Sequence, residues 1–495
     1  MSQTVAVVVW LLCLELVAWA AWPLAATLLG RLAGRGAAFA RPLGLLVAGY
    51  LVWMLVSLHV LENTRVTALL AVMAVAGLSL WVSRRERLAE LWRSTRSEVL
   101  AVEVFFAVAF LGYLAFRAYD PSISHTEKPM DFGFLNAILR SRTFPPRDMW
   151  LSGYAISYYY FGYLLMALLT KLSGVPAGVA YNLSLGTLFA LTVTGAYGLV
   201  RAVTADLLPE ERMRRVAGSI GALFVGVAGN LEGILELLHT NGVGSAAFWR
   251  WVNNPALAEA PQKPGLVPGA DWWWWRATRL IQDRNLQGKM PEVIAEFPAF
   301  SFVLGDMHPH VMALPFALLA LALAWQCLRA APALKTGDTG GVLQRLLPWL
   351  PLPPLAPLIP LAIGALGFMN SWDFPTYALI VIASYAIGRT WAYEHLTRGW
   401  LAECCGFAGL VLLGGLVLYL PFYVGFRSQA SGFGMVDYVK TPWLQYALIF
   451  GLFLSVLLPW LLGLIQKERR RPRLAGRYAD SQAGLVVLTL GFLQL

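Results

Sequence analysis

Two carboxylates four residues apart, Glu127 and Asp131, enclose Lys128 in the phrase Glu-Lys-Pro-Met-Asp just outside an apolar run. A pair so placed suits general-base work or a share in a metal site. Asp131 would equally serve as the N-cap of a following helix. Asp306-Met-His308-Pro-His310 interrupts another apolar run, where ionisable groups face a cavity or a partner. Carboxylate with imidazole suits a divalent ion, and hydrogen-bonded structural histidines are the other reading. Histidines two apart across Pro309 cannot share one helix face, so this element is a turn or a helix start. Asn370, Trp372 and Asp373 precede Pro375 and are candidates for binding a substrate, with Asp373 equally a helix N-cap. Arg147 and Asp148 after Phe144-Pro-Pro, and the run Tyr158-Tyr159-Tyr160, complete the set.

The elements that position these groups must lie in a membrane. With 58% hydrophobic and 13% charged residues, 495 residues carry too little polar surface for a soluble globule. Apolar stretches of spanning length are expected at about 4 to 30, 42 to 61, 66 to 82, 98 to 118, 154 to 172, 177 to 200, 216 to 238, 300 to 328, 346 to 368, 374 to 391, 401 to 423 and 443 to 465. Runs of this length exclude the short alternation of a barrel. The expected fold is all-α, a polytopic bundle of about 12 to 13 segments with a large external loop after the fourth span. The first segment has no basic leader and reads as a retained helix, and the apolar run Ala483 to Leu495 reads as a helix cut short or a non-native piece. Cys13, Cys327, Cys404 and Cys405 lack metal or disulfide spacing and are expected to pack.

Orientation comes from the basic residues. Six loops, 31 to 41, 83 to 97, 201 to 215, 329 to 345, 389 to 400 and 467 to 477, hold 23 Lys and Arg in 81 positions. The others hold 13 in 123, so the first set is expected on the cytoplasmic side. The positive-inside rule thereby accounts for the net charge of +10, and nucleic acid is set aside as a partner. Counting crossings leaves a parity conflict, so one of 154 to 172, 177 to 200 and 216 to 238 is expected not to cross fully, beside a non-lipid interior.

Four unusual stretches then fall on the non-cytoplasmic side: 120 to 163, 239 to 298, 296 to 310 and 370 to 377. The second holds six of the twenty tryptophans, and Trp272 to Trp275 reads as an interfacial belt or lid lying flat on the membrane. Asp120, Glu259 and Asp271 are expected to be solvated. A transporter should show internal repeats, and none is found; a scaffold gives no reason for carboxylates and histidines to gather on one face.

Glu127-Lys-Pro-Met-Asp131-Phe-Gly-Phe-Leu-Asn136, followed by Ser157-Tyr-Tyr-Tyr-Phe-Gly-Tyr163, resembles the "YYY" membrane-protein family of archaea and Chloroflexi-type bacteria. Gly305-Asp-Met-His-Pro-His310 and Asn370-Ser-Trp-Asp-Phe-Pro375 fit it as well, over about residue 98 to the end. More distantly, the order of spanning helix, acidic loop, short amphipathic helix, Phe144-Pro-Pro, tyrosine run and Asn182-Leu-Ser-Leu-Gly is similar to the GT-C glycosyltransferase superfamily. That likeness implies 1 to 97 as N-terminal transmembrane helices and 98 to 495 as a catalytic-type domain in a prokaryotic plasma membrane. It implies sugar transfer from a polyprenyl-phosphate-linked donor on the non-cytoplasmic side, with membrane lipid and a lipid-linked sugar as partners. Glu127 or Asp131 would be the base. Asp306, His308 and His310, with Asp148, would hold Mg or Mn against the phosphate, and Arg147 would pair with it. Tyr158, Tyr159 and Tyr160 would bind the sugar at the cavity mouth, with ordinary interfacial anchoring the other reading of their rings. The sequence departs from the superfamily's usual early Asp-Glu pair, and the helices at 4 to 82 are extra.

Overall fold

A computed structural model of the chain describes residues 1–254, 257–258, 265, 268–269, 272–335, 343, 346–393, 396–427 and 440–469. Glu259, Asp271, Arg470, Arg471, Arg473 and the run 483 to 495 lie outside the described residues. Among the described residues every regular element is helical, and the one pairing of extended backbone is a bridge between Arg147 and Ala155.

In chain order the helices begin with α1 (Gln3–Leu28), α2 (Ala40–Ser57), α3 (Arg65–Val82), α4 (Leu88–Arg117), α5 (Lys128–Arg140) and α6 (Phe161–Ser173). They continue with α7 (Ala177–Val203), α8 (Glu211–Gly226), α9 (Glu232–Thr240), α10 (Ala246–Val252), α11 (Pro298–Leu304) and α12 (Pro309–Ala330). The last are α13 (Leu358–Met369), α14 (Asp373–Thr390), α15 (Arg398–Leu418), α16 (Leu420–Gly425) and α17 (Trp443–Arg469). By compactness the chain forms two units, Met1–Gly226 with Gly305–Ala430, and Val227–Leu304 with Ser431–Leu495. The expected boundary at residue 97 falls inside α4, which runs through it unbroken.

Among the described residues eight helices are long and apolar enough to cross a membrane: Gln3–Leu28, Ala33–Ser57, Arg65–Val82, Leu88–Arg117, Ala177–Val203, Pro309–Ala333, Arg398–Leu418 and Trp443–Gly463. The protein is a polytopic helical membrane protein, with fewer full-length spans among the described residues than the twelve expected. The difference is one of length. The stretch 154 to 172 yields only the 13 residues of α6, roughly 20 Å against a hydrocarbon core of about 30 Å. The stretch 346 to 368 shrinks to the 12 residues of α13. The stretch 216 to 238 is broken, α8 ending at Gly226 and α9 starting at Glu232. Segment 374 to 391 forms α14, with Asp373 and Arg389 near its two ends. Runs of apolar residues do not reveal where loop backbone consumes part of them.

In the first unit α7 packs against α4, α8 and α12. Lipid is as apolar as leucine, so close packing and polar contacts hold such helices together rather than apolar burial from water. Trp10 on α1 donates from Nε1 to Thr187 Oγ1 of α7 at 2.9 Å, wholly buried. Gly44 lets α2 approach α1 closely, since a Cβ there would come within 2.7 Å of the Val17 carbonyl oxygen. Three arginines counted with the cytoplasmic loops are in fact buried partners of carboxylates: Arg41 with Glu15 and Glu103, Arg201 with Glu98 and Glu211, and Arg389 with Glu403. An unpaired charge in a low-dielectric interior costs several kcal/mol, and these pairs avoid it. All four cysteines are free thiols; Cys327 and Cys404 are buried, Cys13 is half-buried and Cys405 is exposed.

Candidate functional site

The short helix α5 organises the site. Pro129 near its first turn suits a helix start, and Lys128, Asp131, Phe134, Leu135 and Ile138, at helical spacing, form its buried face. Glu127 occupies the cap position, its side chain accepting no cap hydrogen bond, so Asp131 is inside the helix and is not its N-cap. Immediately before it, His125 and Thr126 both hold positive φ, 74° and 51°. Two consecutive non-glycine residues in the left-handed region store strain that surrounding structure must hold.

Asp131 is fully buried. Its carboxyl accepts from the Tyr163 hydroxyl at 2.5 Å, from the Met307 backbone N–H at 2.9 Å and from the Tyr181 hydroxyl at 3.5 Å. Burial pushes this carboxyl up to about 7, with Asp306 adding to the rise and Tyr163, His308 and Met307 opposing it. Asp131 therefore ties α5, α6 and α7 to the turn that starts α12. That turn needs Gly305, whose φ is +70°, and a Cβ there would lie 3.1 Å from the Arg117 guanidinium. His308 then caps α12 and Pro309 opens it, so the histidine motif is the helix start that its spacing implied.

The turn delivers His308 to Glu127. Its Nδ1 lies 2.7 Å from Glu127 Oε2, with side chains 30% and 50% exposed. Burial works to lower the His308 pKa, but the Glu127 hydrogen bond and charge prevail and raise it above the ordinary value. The His310 ring lies beside it, centroids 4.7 Å apart. Asp373 is the first residue of α14, with Trp372 at the cap, so the cap reading of Asp373 does not hold. Burial pushes its carboxyl up to about 6, against a hydrogen bond from Asn370 and the charge of His310. Trp372 is exposed. The stretches around 127, 308 and 373 thus meet within the first unit, whereas 239 to 298 belongs to the second.

Behind the exposed pair lies a buried charged floor of Arg117, Lys128 and Asp306. Arg117 Nε donates to Asn182 Oδ1 at 2.8 Å and Nη2 to the Ser122 carbonyl at 2.9 Å. Burial and Arg117 push the Lys128 amine down, opposed by Asp120 and Asp306. To one side Tyr158 stacks on Phe134, centroids 5.3 Å apart at 16°, and Tyr159 packs on Tyr158 and Phe426. Tyr160 leaves this wall. It is 3% exposed, and its hydroxyl accepts from Trp53 Nε1 at 3.1 Å within a cluster with Phe368 and Phe422.

Asp148 is engaged locally. Its Oδ1 accepts from the backbone N–H of Trp150 and of Leu151, both at 2.8 Å, closing a local turn. Arg147 lines a cavity with Arg140 and Arg142 at the C-terminal end of α5. Among the described residues no group of three or more His, Cys, Asp and Glu side chains is placed to hold a metal ion. Asp306, His308 and His310, the divalent-ion set that the motif suggested, are not brought together as such a group: Asp306 lies in the buried floor, and His308 meets Glu127 through Nδ1, a contact that occupies only one of its ring nitrogens.

In the second unit, Trp272 and Trp274 stack with centroids 5.3 Å apart, and Trp275 packs on Phe300 beneath Arg279, whose guanidinium carbon is 3.7 Å from the ring centre. There too Glu232 and Glu236 are buried one turn apart, with Arg276 Nη1 3.1 Å from Glu236.

The sequence reading missed Arg117, Tyr163 and Tyr181. Arg117 carried a usable signal, a charge at the end of a long apolar helix. The two tyrosines are ordinary aromatic residues until the fold turns their hydroxyls toward Asp131.

No curated protein and no solved structure matches the chain. A family model does, over residues 47–494, a range that includes Glu127, Asp131, His308 and Asp373 and starts well before the 98 expected. The chain belongs to the family described as Uncharacterized membrane protein (DUF2298).

Proposed function

We propose that this membrane protein is a glycosyltransferase that moves a sugar from a polyprenyl-phosphate donor to an acceptor hydroxyl, with Glu127 and His308 as its acid–base pair. The observation that carries the reading is the 2.7 Å contact between His308 Nδ1 and Glu127 Oε2, half-exposed beside a wholly buried carboxylate. A carboxylate on Nδ1 fixes the imidazole tautomer and directs Nε2 to the acceptor. The acceptor oxygen attacks the anomeric carbon as the carbon–oxygen bond to phosphate breaks; the proton passes to Nε2, and the bonding pair leaves with the phosphate. Tyr158 and Tyr159, half-buried on the Phe134 face, offer rings for stacking on a sugar. Asp131, its oxygens engaged by three donors, is a positioning residue and leaves the role of base to its neighbours.

The test is transfer by the purified chain in lipid nanodiscs, using short polyprenyl-phosphate sugars and reading release of the polyprenyl phosphate. Glu127→Gln and His308→Ala are expected to cut turnover roughly a hundredfold or more while the protein still folds, the scale of a lost general base. Release from no donor, or full turnover by both variants, would discard the reading in favour of transport or scaffolding.

A further inference from the structure

The three arginines at the other end of α5 are not used by that chemistry. Arg140, Arg142 and Arg147 line a cavity of about 750 Å³ together with Asn136, Ser141 and Thr143, flanked by Pro145 and Met149. The volume lies in the range of small-ligand sites. Met149 packs so closely over Gly133 that any side chain at 133 would collide with its sulfur, so the glycine lets Met149 lie against this face of the helix as one wall of the cavity.

Among the described residues, carboxylates compensate little of the charge in the cavity. Arg142 has one carboxylate partner, Glu62 at 3.9 Å, and both side chains are more than half exposed, which makes the pair weak. Asp148, the nearest acid in sequence, has its Oδ1 engaged by the Trp150 and Leu151 N–H groups. Nor does membrane topology explain the arginines, because the loop 119 to 152 falls on the side where basic residues are otherwise scarce.

We infer that this cavity binds a phosphate-bearing group, its guanidinium groups pairing with the phosphate oxygens and its Pro145–Met149 flank covering an adjoining apolar part. Arginine's planar fork matches phosphate geometry, and several such donors converging in one cavity form an anion receptor. The cavity runs along α5 from Phe132 to Arg140, and Arg140 is thirteen residues along the helix from Glu127, or roughly 20 Å, so its Arg140 end is distinct from the acid–base pair and the inference does not depend on the transfer reading. The phosphate would come from a lipid headgroup or from a free phosphate compound.

The experiment uses the full chain in phosphatidylcholine nanodiscs and titrates two probes with the same charged head, inorganic pyrophosphate and farnesyl diphosphate, by calorimetry. Binding is expected for the wild type, weakened about tenfold or more by Arg140→Gln with Arg147→Gln, partly restored by the corresponding lysine pair, and weakened by added salt. All these side chains are exposed, and a thermal melt of each variant verifies folding. Tighter binding of farnesyl diphosphate identifies a lipid headgroup as the source, and equal binding identifies a free phosphate compound. His308→Ala should leave binding unchanged, which separates this site from the transfer reaction. Failure of the wild type to bind either probe, or wild-type affinity in the double glutamine variant, would overturn the inference.

Discussion

Removing the carboxyl of Asp131 tests whether it is the pin that holds α5 to the histidine turn. In Asp131→Ala, the Tyr163 hydroxyl loses its acceptor in a fully buried place, and the Met307 N–H keeps only its longer, 3.3 Å bond to the Tyr181 hydroxyl oxygen. A stranded donor costs about 1–3 kcal/mol and a weakened bond part of that, so the loss should be about 1–4 kcal/mol before any cavity term. Asp131→Asn keeps an oxygen for Met307 and lets the Tyr163 hydroxyl rotate to accept, so its cost at acid pH should be about 1 kcal/mol. The pH dependence separates the two further. The folded carboxyl sits at about 7 against an ordinary 3.8, a raised value, so its share of stability is complete below about 3.8 and is lost as pH rises through about 7. At ~1.4 kcal/mol per pH unit the loss is bounded at about 4 kcal/mol, and the asparagine variant lacks it. Equilibrium unfolding in mixed SDS and mild-detergent micelles, followed by tryptophan fluorescence at a series of pH values, measures both effects. An alanine variant as stable as the wild type, or an asparagine variant with the wild-type pH slope, would refute the role assigned to Asp131.

Two further outcomes are expected. Glu232→Gln should stabilise the protein at alkaline pH by an order of a few kcal/mol and leave it unchanged at acid pH. Burial, then the charge of Glu236, push the Glu232 carboxyl up to about 9, opposed by Arg276 and Asn254, so stability present below its ordinary 4.5 is lost as pH rises through about 9; a flat difference across pH in the same unfolding assay would contradict this. Gly305→Ala should cost about 1–2 kcal/mol from the left-handed backbone alone, and the added methyl should press on Arg117. A variant melting with the wild type would show that the turn relaxes freely.

The site was partly legible. Glu127, Asp131, His308 and Asp373 were singled out because charge is rare in an apolar chain and stands out wherever it occurs. Their division of labour was not legible. Asp131 looked like a cap or a base, and it became a buried acceptor only because Met307, 176 residues away, turns its N–H toward it. Tyr160 differs from Tyr158 and Tyr159 in nothing but the direction in which the chain enters α6, and that direction puts it against Trp53.

The sequence by itself determined the helical membrane class, the short amphipathic helix after the fourth span and the helix start at the histidines. Composition, periodicity and proline act through each residue and its near neighbours, so they can be read along the chain. Only the tertiary structure decided which apolar runs are long enough to cross, that Glu127 meets His308, and that three arginines share one cavity. Those outcomes depend on packing between segments far apart in the chain, and for such contacts spacing along the sequence carries no distance.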